Sequence, residues 1–224
     1  LPLIELAERF DLARLSAGGE AIVERRAATI DIDGVTVTLP PGGFLQASEE
    51  AEAIMGELVT AAIPTRAKRV ADLFSGVGTF ALRLARKAEV LALESEAGAV
   101  TALDRAARGM AGRHRISAER RDLARRPLVE KELEKIDAVV FDPPRAGAKA
   151  QAETLAKSIV PKIVGVSCNP ATLARDARIL IDGGYKLTSV TPVDQFLWSG
   201  HVEVVATFEL ARKSASKGRP VRLS

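Results

Sequence analysis

The run Val166-Ser-Cys-Asn-Pro170 sets the chain's one cysteine where a strand hands over to a helix. The apolar stretch Lys162–Val166 reads as the strand, Asn169 is a favoured N-cap, and Pro170 suits a first helical turn. A thiol in that position lies near amide donors and the positive end of a helix dipole, which favour a thiolate. The dipole contributes roughly 0.3–1 kcal/mol. At about 1.36 kcal/mol per pKa unit, Cys168 is expected to ionise less than about one unit below an ordinary thiol. Composition alone supports a second reading, a buried structural thiol.

Val139-Val-Phe-Asp-Pro-Pro-Arg-Ala-Gly147 is an apolar strand that stops on Asp142 and two prolines. Pro143 and Pro144 have no N–H to continue a ladder, so the chain leaves the sheet stiffly and holds Asp142 and Arg145 at its edge. Near the C-terminus, Ser199-Gly-His-Val-Glu203 opens the last strand-like run. At i, i+2 spacing His201 and Glu203 are expected to share a strand face. Taken alone, Glu203 reads first as an exposed strand residue and only second as a base.

A thiol beside a carboxylate suits one demanding reaction. Amines and hydroxyls are nucleophiles already, whereas C5 of uracil is not. A thiolate added at C6 turns C5 into an enolate carbon able to take a methyl group from a sulfonium. A base then removes the C5 proton and the thiol departs. Cys168 offers a nucleophile and Glu203 a candidate base for this chemistry.

A third motif, Val70-Ala-Asp-Leu-Phe-Ser-Gly-Val-Gly-Thr-Phe-Ala81, runs from a strand through a glycine turn into a helix. Gly76 and Gly78 would let the backbone approach a ligand closely. Such turns at the carboxyl end of a first strand are where open α/β sheets bind ligands. The spacing Gly-x-Gly by itself also fits dinucleotide enzymes. Glu94 closes the next strand, where an acid can accept from ribose hydroxyls. Asp72 puts a carboxylate beside the turn, which would repel a pyrophosphate and attract an amino group such as that of methionine. Asp122 has two readings, a partner for an adenine amine or a surface carboxylate among arginines.

The elements that must hold these residues begin at Lys68. Strands are expected at Arg69–Phe74, Val90–Leu93, Ile136–Phe141 and Lys162–Val166. Helices are expected at Thr79–Lys87, Gly98–Gly109, Gln151–Ile159 and Ala171–Ile181. Short apolar strands separated by helices predict a parallel sheet covered on both faces. Tyr185–Val193 and Val202–Leu210 follow one another without a helix, which predicts an antiparallel hairpin at the sheet edge. Upstream, Ala28–Leu39 alternates around Asp33-Gly34, a hairpin signal. Ser48 caps a helix over Glu49–Thr60 that Pro64 ends.

The 224 residues have room for one α/β domain and a small attachment, and 47% hydrophobic content is ordinary for a globular chain. Among them no apolar run is long enough to span a membrane. A lone cysteine with no secretory signal fits a cytoplasmic setting and excludes an internal disulfide or a cysteine-built metal cluster, so no metal is expected. The formal charge is only +3, but Arg113, Arg115, Arg120, Arg121, Arg125 and Arg126 crowd one stretch. They read either as phosphate contacts or as a solvated face. Lys213, Lys217, Arg219 and Arg222 mark a basic tail without apolar period, expected to be flexible.

Five segments, in this order, resemble the RNA uracil-C5 methyltransferases, a family with tRNA and 23S rRNA members. They are Gly43-Phe-Leu-Gln-Ala47, Asp72-Leu-Phe-Ser-Gly-Val-Gly78, Phe141-Asp-Pro-Pro-Arg-Ala-Gly-Ala148, Val166-Ser-Cys-Asn-Pro-Ala-Thr-Leu-Ala-Arg-Asp176 and Gly200-His-Val-Glu203. The fourth is highly specific, and the glycine turn is not. The resemblance implies an α/β, Rossmann-like class I fold with a mostly parallel seven-stranded sheet and an antiparallel edge hairpin. A partial, β-rich N-terminal segment would precede it. It implies S-adenosylmethionine as methyl donor, Cys168 as nucleophile and Glu203 as base. Around the donor it implies Gln46, Phe74, Glu94 and Asp142, joined by Gly76, Gly78 and Asp122. Asp142, Arg145 and His201 would meet the RNA.

Residues 1–48 are then expected to be part of a central or linker domain, 49–211 the catalytic domain, and 212–224 the tail. Family members commonly begin with a β-barrel RNA-binding domain, and many carry an iron–sulfur cluster on N-terminal cysteines; neither is present in these residues. A monomer acting on rRNA or tRNA is expected. Three rivals remain. An RNA cytosine-C5 methyltransferase typically has a second cysteine where Arg145 stands, a nucleotide-dependent oxidoreductase leaves Asp-Pro-Pro and Ser-Cys-Asn-Pro without a role, and a non-catalytic RNA-binding module has no need of Cys168, Glu203 and Asp142. Phe44, Phe196 and Trp198 are the aromatic residues available to stack on a base flipped from a helix.

Overall fold

Strands that are apolar throughout leave neither face in water, and both faces here are covered. The structure is a computed structural model that describes residues 2–196 and 198–211. After α1 (Pro2–Arg9), β1 (Arg14–Ala17), β2 (Glu20–Glu24), β3 (Thr29–Ile32), β4 (Val35–Thr38) and α2 (Glu49–Ala62) the chain enters the main sheet. There β5 (Arg69–Leu73), β6 (Glu89–Glu94), β7 (Ile116–Arg120), β8 (Ala138–Phe141) and β9 (Lys162–Ser167) run parallel. The connecting helices are α3 (Ala81–Leu84), α4 (Ala97–Arg108), α5 (Glu130–Leu133), α6 (Lys149–Leu155) and α7 (Pro170–Asp182). The final hairpin is β10 (Tyr185–Val193) and β11 (Glu203–Leu210).

The seven-stranded order is β10-β11-β9-β8-β5-β6-β7. From β5 the chain winds outward through β6 and β7, then returns to β8 and winds the other way. The reversal opens a crevice between the carboxyl ends of β5 and β8, the place where open α/β sheets bind ligands. Alternation along each strand divides the core in two. Val70, Val140 and Val164 pack with Met55 and Val59 of α2 and Leu103 of α4. Leu73, Phe141 and Ile163 pack with Leu155 of α6 and Leu180 of α7. Gly165 makes room in this second layer, since a Cβ there would stand 2.8 Å from the Phe141 ring.

The four predicted parallel strands and the hairpin are present, and β11 lies inside the sheet beside β9 while β10 forms the edge. Two details differ. The run expected as a helix over Thr79–Lys87 holds a single helical turn, α3, whose N-cap Phe80 offers no side-chain cap. The strand β7, not among the expected strands, grades from buried Ile116 to exposed Glu119 and Arg120 instead of forming an apolar run.

The boundary at residue 48 cuts through a packed unit. Ile32 and Val37 of the β3–β4 hairpin are buried in the same layer as Met55, Val59 and Leu103. The hairpin tip is fixed electrostatically. Asp33 sits at φ 58°, and its carboxylate meets Arg113 at 2.8 Å, Arg83 at 3.6 Å and Arg86. The Asp33 side chain is only 10% exposed, and those of Arg83 and Arg113 are 15% and 12% exposed. Breaking such a pair leaves buried charge without compensation, so Asp33→Ala is expected to lower unfolding free energy by about 2–4 kcal/mol in chemical denaturation. A loss near zero would show that the hairpin docks through its apolar face alone.

Candidate active site

Strand register decides which side chains meet. Leu73 pairs with both Phe141 and Leu93, so Phe74, Asp142 and Glu94 come to one edge of the sheet. Phe141 pairs with Gly165, which carries β9 on to Cys168 at the same edge. Val204 of β11 pairs antiparallel with Ser167, and one further step along that register sets Glu203 opposite Cys168. A cavity of about 470 Å³ opens at this edge. Gln46, Phe74, Gly76, Glu94, Asp122 and Asp142 line it, and so do Arg145, Cys168 and Glu203. Ten residues predicted for the site were expected to reach ligand or base besides Gly78; nine of the eleven share this one cavity.

Gly78 and His201 are the two it does not take in. Gly76, at φ 53°, has open space where a Cβ would stand, and its N–H donates to Glu94 Oε2 at 3.0 Å. Gly78, at φ 105°, would bring a Cβ to 2.5 Å from Leu103, so packing against α4 also requires glycine there. His201 precedes β11 and is exposed, so the face-sharing argument with Glu203 fails. Its ring instead meets an Arg145 guanidinium nitrogen at 3.2 Å and stands edge-on to Phe196 at 6.1 Å.

The glycine turn is organised by Glu94. Oε1 accepts from the N–H groups of Ser95 and Glu96 at 2.6 and 2.9 Å, while Oε2 reaches across to Gly76. Phe74 is held at φ 61°, an uncommon conformation for a non-glycine residue and frequent at functional sites. Asp72 departs from expectation. It is fully buried, and among the described residues neither carboxyl oxygen has a hydrogen-bond partner. Burial, then the nearby Asp142 carboxyl, push its pKa well above the carboxylate range. Asp72 lies beneath the turn and does not line the cavity, whereas the Glu94 carboxylate beside Gly76 does. Asp122 also borders it, but its Oδ1 accepts from the N–H groups of Ala124 and Arg125, so the side chain also caps its own turn.

At the catalytic end three proton-binding groups converge. Burial, then the Glu203 charge, push Asp142 up to about 7. Burial raises Glu203 as well. The Cys168 thiol is also raised, by burial first, then by Glu203 and Asp142; Arg145 opposes them. The expected lowering at a helix N-terminus is therefore overturned. The cap itself is as predicted, with Asn169 Oδ1 accepting from Ala171 N–H at 3.1 Å. Desolvation and two like charges simply outweigh a dipole worth roughly 0.3–1 kcal/mol. Asn169 does a second job that a Ser or Asp cap would not. Its Nδ2 donates to the Arg145 carbonyl at 3.1 Å, tying the cysteine loop to the Asp-Pro-Pro-Arg loop.

Gln195 joins the site without any motif or periodicity pointing to it. Its Nε2 donates to Glu203 Oε1 at 3.0 Å and to Gln46 Oε1 at 3.2 Å, and Gln46 Nε2 donates to Asp142 Oδ2 at 3.2 Å. A glutamine in a loop carries no periodic or motif signal. The arginine cluster resolves into neither of its two readings for two members: Arg113 is held by Asp33, and Arg121 by Glu132 at 2.6 Å. Phe44 lines the cavity at 74% exposure and Trp198 is 98% exposed. The basic residues of the tail lie outside the described residues.

Comparison with known proteins agrees with this arrangement. The model of the tRNA (uracil-5-)-methyltransferase family matches residues 27–210. An uncharacterized RNA methyltransferase of Mesorhizobium japonicum is 57% identical over 208 residues, covering 93% of this chain and 50% of the relative. The 23S rRNA (uracil(1939)-C(5))-methyltransferase RlmD of Chromohalobacter salexigens is 39% identical, covering 78% of this chain and 37% of the relative. The chain thus spans about half the length of the curated relatives most similar among these. The crystal structure of Pyrococcus abyssi tRNA (uracil-54, C5)-methyltransferase with S-adenosyl-L-homocysteine superposes with a TM-score of 0.67 at 26% identity. It covers 83% of this chain and 45% of that one. The fold is the Rossmann-like fold of S-adenosylmethionine-dependent methyltransferases, and the chain belongs to the tRNA (uracil-5-)-methyltransferase family.

Proposed function

We propose that this chain carries the catalytic centre for methylation of C5 of a uridine in rRNA or tRNA, through a covalent bond between Cys168 and C6 of the base. The observation that carries the reading is that Cys168 and Glu203, each one residue beyond the paired Ser167 and Val204, line one cavity with Asp142. A thiol paired with a carboxylate has no part in methylating an amine or a hydroxyl. It answers the need to activate C5 and then to clear its proton.

The residues present fit S-adenosylmethionine. The open backbone face of Gly76 stands next to the Glu94 carboxylate, an acceptor suited to ribose hydroxyls, in a cavity that Phe74 and Asp122 also line. When bound there, S-adenosylmethionine supplies an electrophilic methyl group. The chain's own residues do the rest. Cys168 bonds C6 and pushes electron density to C5. Glu203 takes the C5 proton, and the returning electron pair expels the Cys168 sulfur. Arg145, whose charge favours the thiolate, helps to offset the two carboxyls. Asp142, ionising at about 7, is able to donate to a base carbonyl or accept from a ring N–H. A target base within a helix must be flipped out first, at a cost of a few kcal/mol; exposed Phe44 offers a stacking face at the cavity.

Three measurements test this reading. With RNA substrate and methyl donor, Glu203→Gln is expected to accumulate a denaturation-stable protein–RNA adduct already methylated at C5, and Cys168→Ala none. Free methylated RNA from Cys168→Ala would contradict the covalent route. Because Cys168 is the chain's sole cysteine, its alkylation by iodoacetamide reports its ionisation alone. The midpoint should lie above the ordinary thiol range and move to lower pH in Glu203→Gln, since removing a neighbouring negative charge favours the thiolate. An unchanged midpoint would mean that Glu203 does not act on the thiol. Finally, the folded-state pKa of Asp142 lies above the unfolded value of about 4. Its contribution to stability is therefore complete below pH ~4 and lost as pH rises through about 7. Asp142→Asn should raise the melting temperature relative to the parent at pH ~8, with the gain shrinking towards pH ~4; a gain independent of pH would contradict it.

A further inference from the structure

The amides of Gln195 and Gln46 form a bridge between the two carboxyls of the site, and its polarity is set by one backbone group. Gln195 lies in the loop between β10 and β11, and Gln46 in the loop before α2. The Ala47 N–H, which can only donate, points at Gln195 Oε1 at 3.1 Å. That contact fixes which end of the Gln195 side chain is oxygen, so its NH₂ group must face the other way. The two protons of that group are then divided between Glu203 Oε1 at 3.0 Å and Gln46 Oε1 at 3.2 Å. With its oxygen engaged, Gln46 turns its own NH₂ group to Asp142 Oδ2 at 3.2 Å. Each carboxyl receives one amide N–H from the bridge.

We infer that Gln195 is a positioning residue for the base Glu203, holding the carboxylate ionised and orienting it beside Cys168, while fixing the orientation of Gln46 on Asp142. This rests on the proposed role of Glu203 as the group that removes the C5 proton. The charged and titratable groups that share the cavity with Glu203 are Glu94, Arg121, Asp122, Asp142, Arg145 and Cys168. Asp142 and Cys168 each feel the charge of Glu203, and burial already works against its ionised form. An N–H donated to a carboxylate favours the charged form, so Gln195 counters burial. A leucine there has nearly the same bulk and no N–H. A glutamate would bring a further acid against Glu203 and an acceptor against the oxygen of Gln46.

The test is a carbon-13 NMR titration of side-chain-labelled Glu203, assigned by loss of its signal in Glu203→Gln. In Gln195→Leu the Glu203 titration is expected to move up by roughly half to one pH unit, the equivalent of one neutral hydrogen bond. An unmoved titration would overturn the inference without bearing on Cys168. The same shift should appear in catalysis. At a pH below the Glu203 midpoint, release of the methylated base from Cys168 should slow about threefold to tenfold in Gln195→Leu. The rates should converge as pH rises. A uniform slowing at every pH, the mark of a merely structural role, would overturn the inference. Gln195→Asn, with a shorter amide, should restore part of the release rate if the side chain acts through its N–H. The Cys168 alkylation profile of the parent, retained in Gln195→Leu, controls for folding. If the parent itself forms no adduct with RNA while the NMR shift is seen, the covalent reading fails and the Gln195–Glu203 contact stands.

Discussion

Burial of three acidic groups around one cavity, with the Glu203 charge acting on Asp142 and Cys168, is the constraint around which the site is arranged. All three lose protons to become anions, all three face one cavity, and each is held above its ordinary pKa range. A site that needs a thiolate in one step and a carboxylate base in another cannot separate these groups, because both must reach the same base ring. The sheet supplies the proximity through register, and the amides of Gln46 and Gln195 supply donors to the two carboxyls. The helix dipole at Cys168 is too weak to lower the thiol by itself. Its roughly 0.3–1 kcal/mol is set against desolvation and two like charges. In the proposed reaction, thiolate formation is therefore left to the RNA-bound state.

The two ends of the cavity are built by different means. At the glycine turn, backbone N–H groups of Gly76, Ser95 and Glu96 hold the Glu94 carboxylate in place before any ligand arrives. At the other end, loops are tied to one another: Asn169 and Thr172 both donate to the Arg145 carbonyl, and Gln195 bonds the loop of Gln46 and Ala47. Preorganised donors of this kind cost no reorganisation when charge develops. The β3–β4 hairpin matters to this arrangement as well, since Asp33 and its three arginines lock it against the layer that supports α4.

What was legible in the sequence follows from what leaves a local signature. The apolar strands, the Asn169-Pro170 cap and the terminal hairpin each impose a pattern on consecutive residues, and each was found in place. Glu203 required register, which periodicity does not give: only the pairing of Val204 with Ser167 turns an apparently ordinary strand residue into a partner of Cys168. Gln195 and the Asp33 cage join residues far apart in the chain through single polar contacts, and nothing in the neighbouring residues announces them. Spacing does not give surroundings: β11 starts two residues after His201, Leu103 packs under Gly78, and Asp72 is fully buried. The thiol's direction of shift was misjudged because the helix after it could be read from sequence and the acids around it could not.

The central claim is that Cys168 bonds C6 of the target uridine with Glu203 beside it. Substituting 5-fluorouridine at the target position removes the proton that the base must take, so the bond to sulfur should persist. Mass spectrometry of the proteolytic peptide that contains Cys168, after incubation with such RNA and S-adenosylmethionine, tests this directly. The account predicts that this peptide carries the fluorinated, methylated nucleotide. An unmodified Cys168 peptide from protein that methylates ordinary RNA under the same conditions would contradict it.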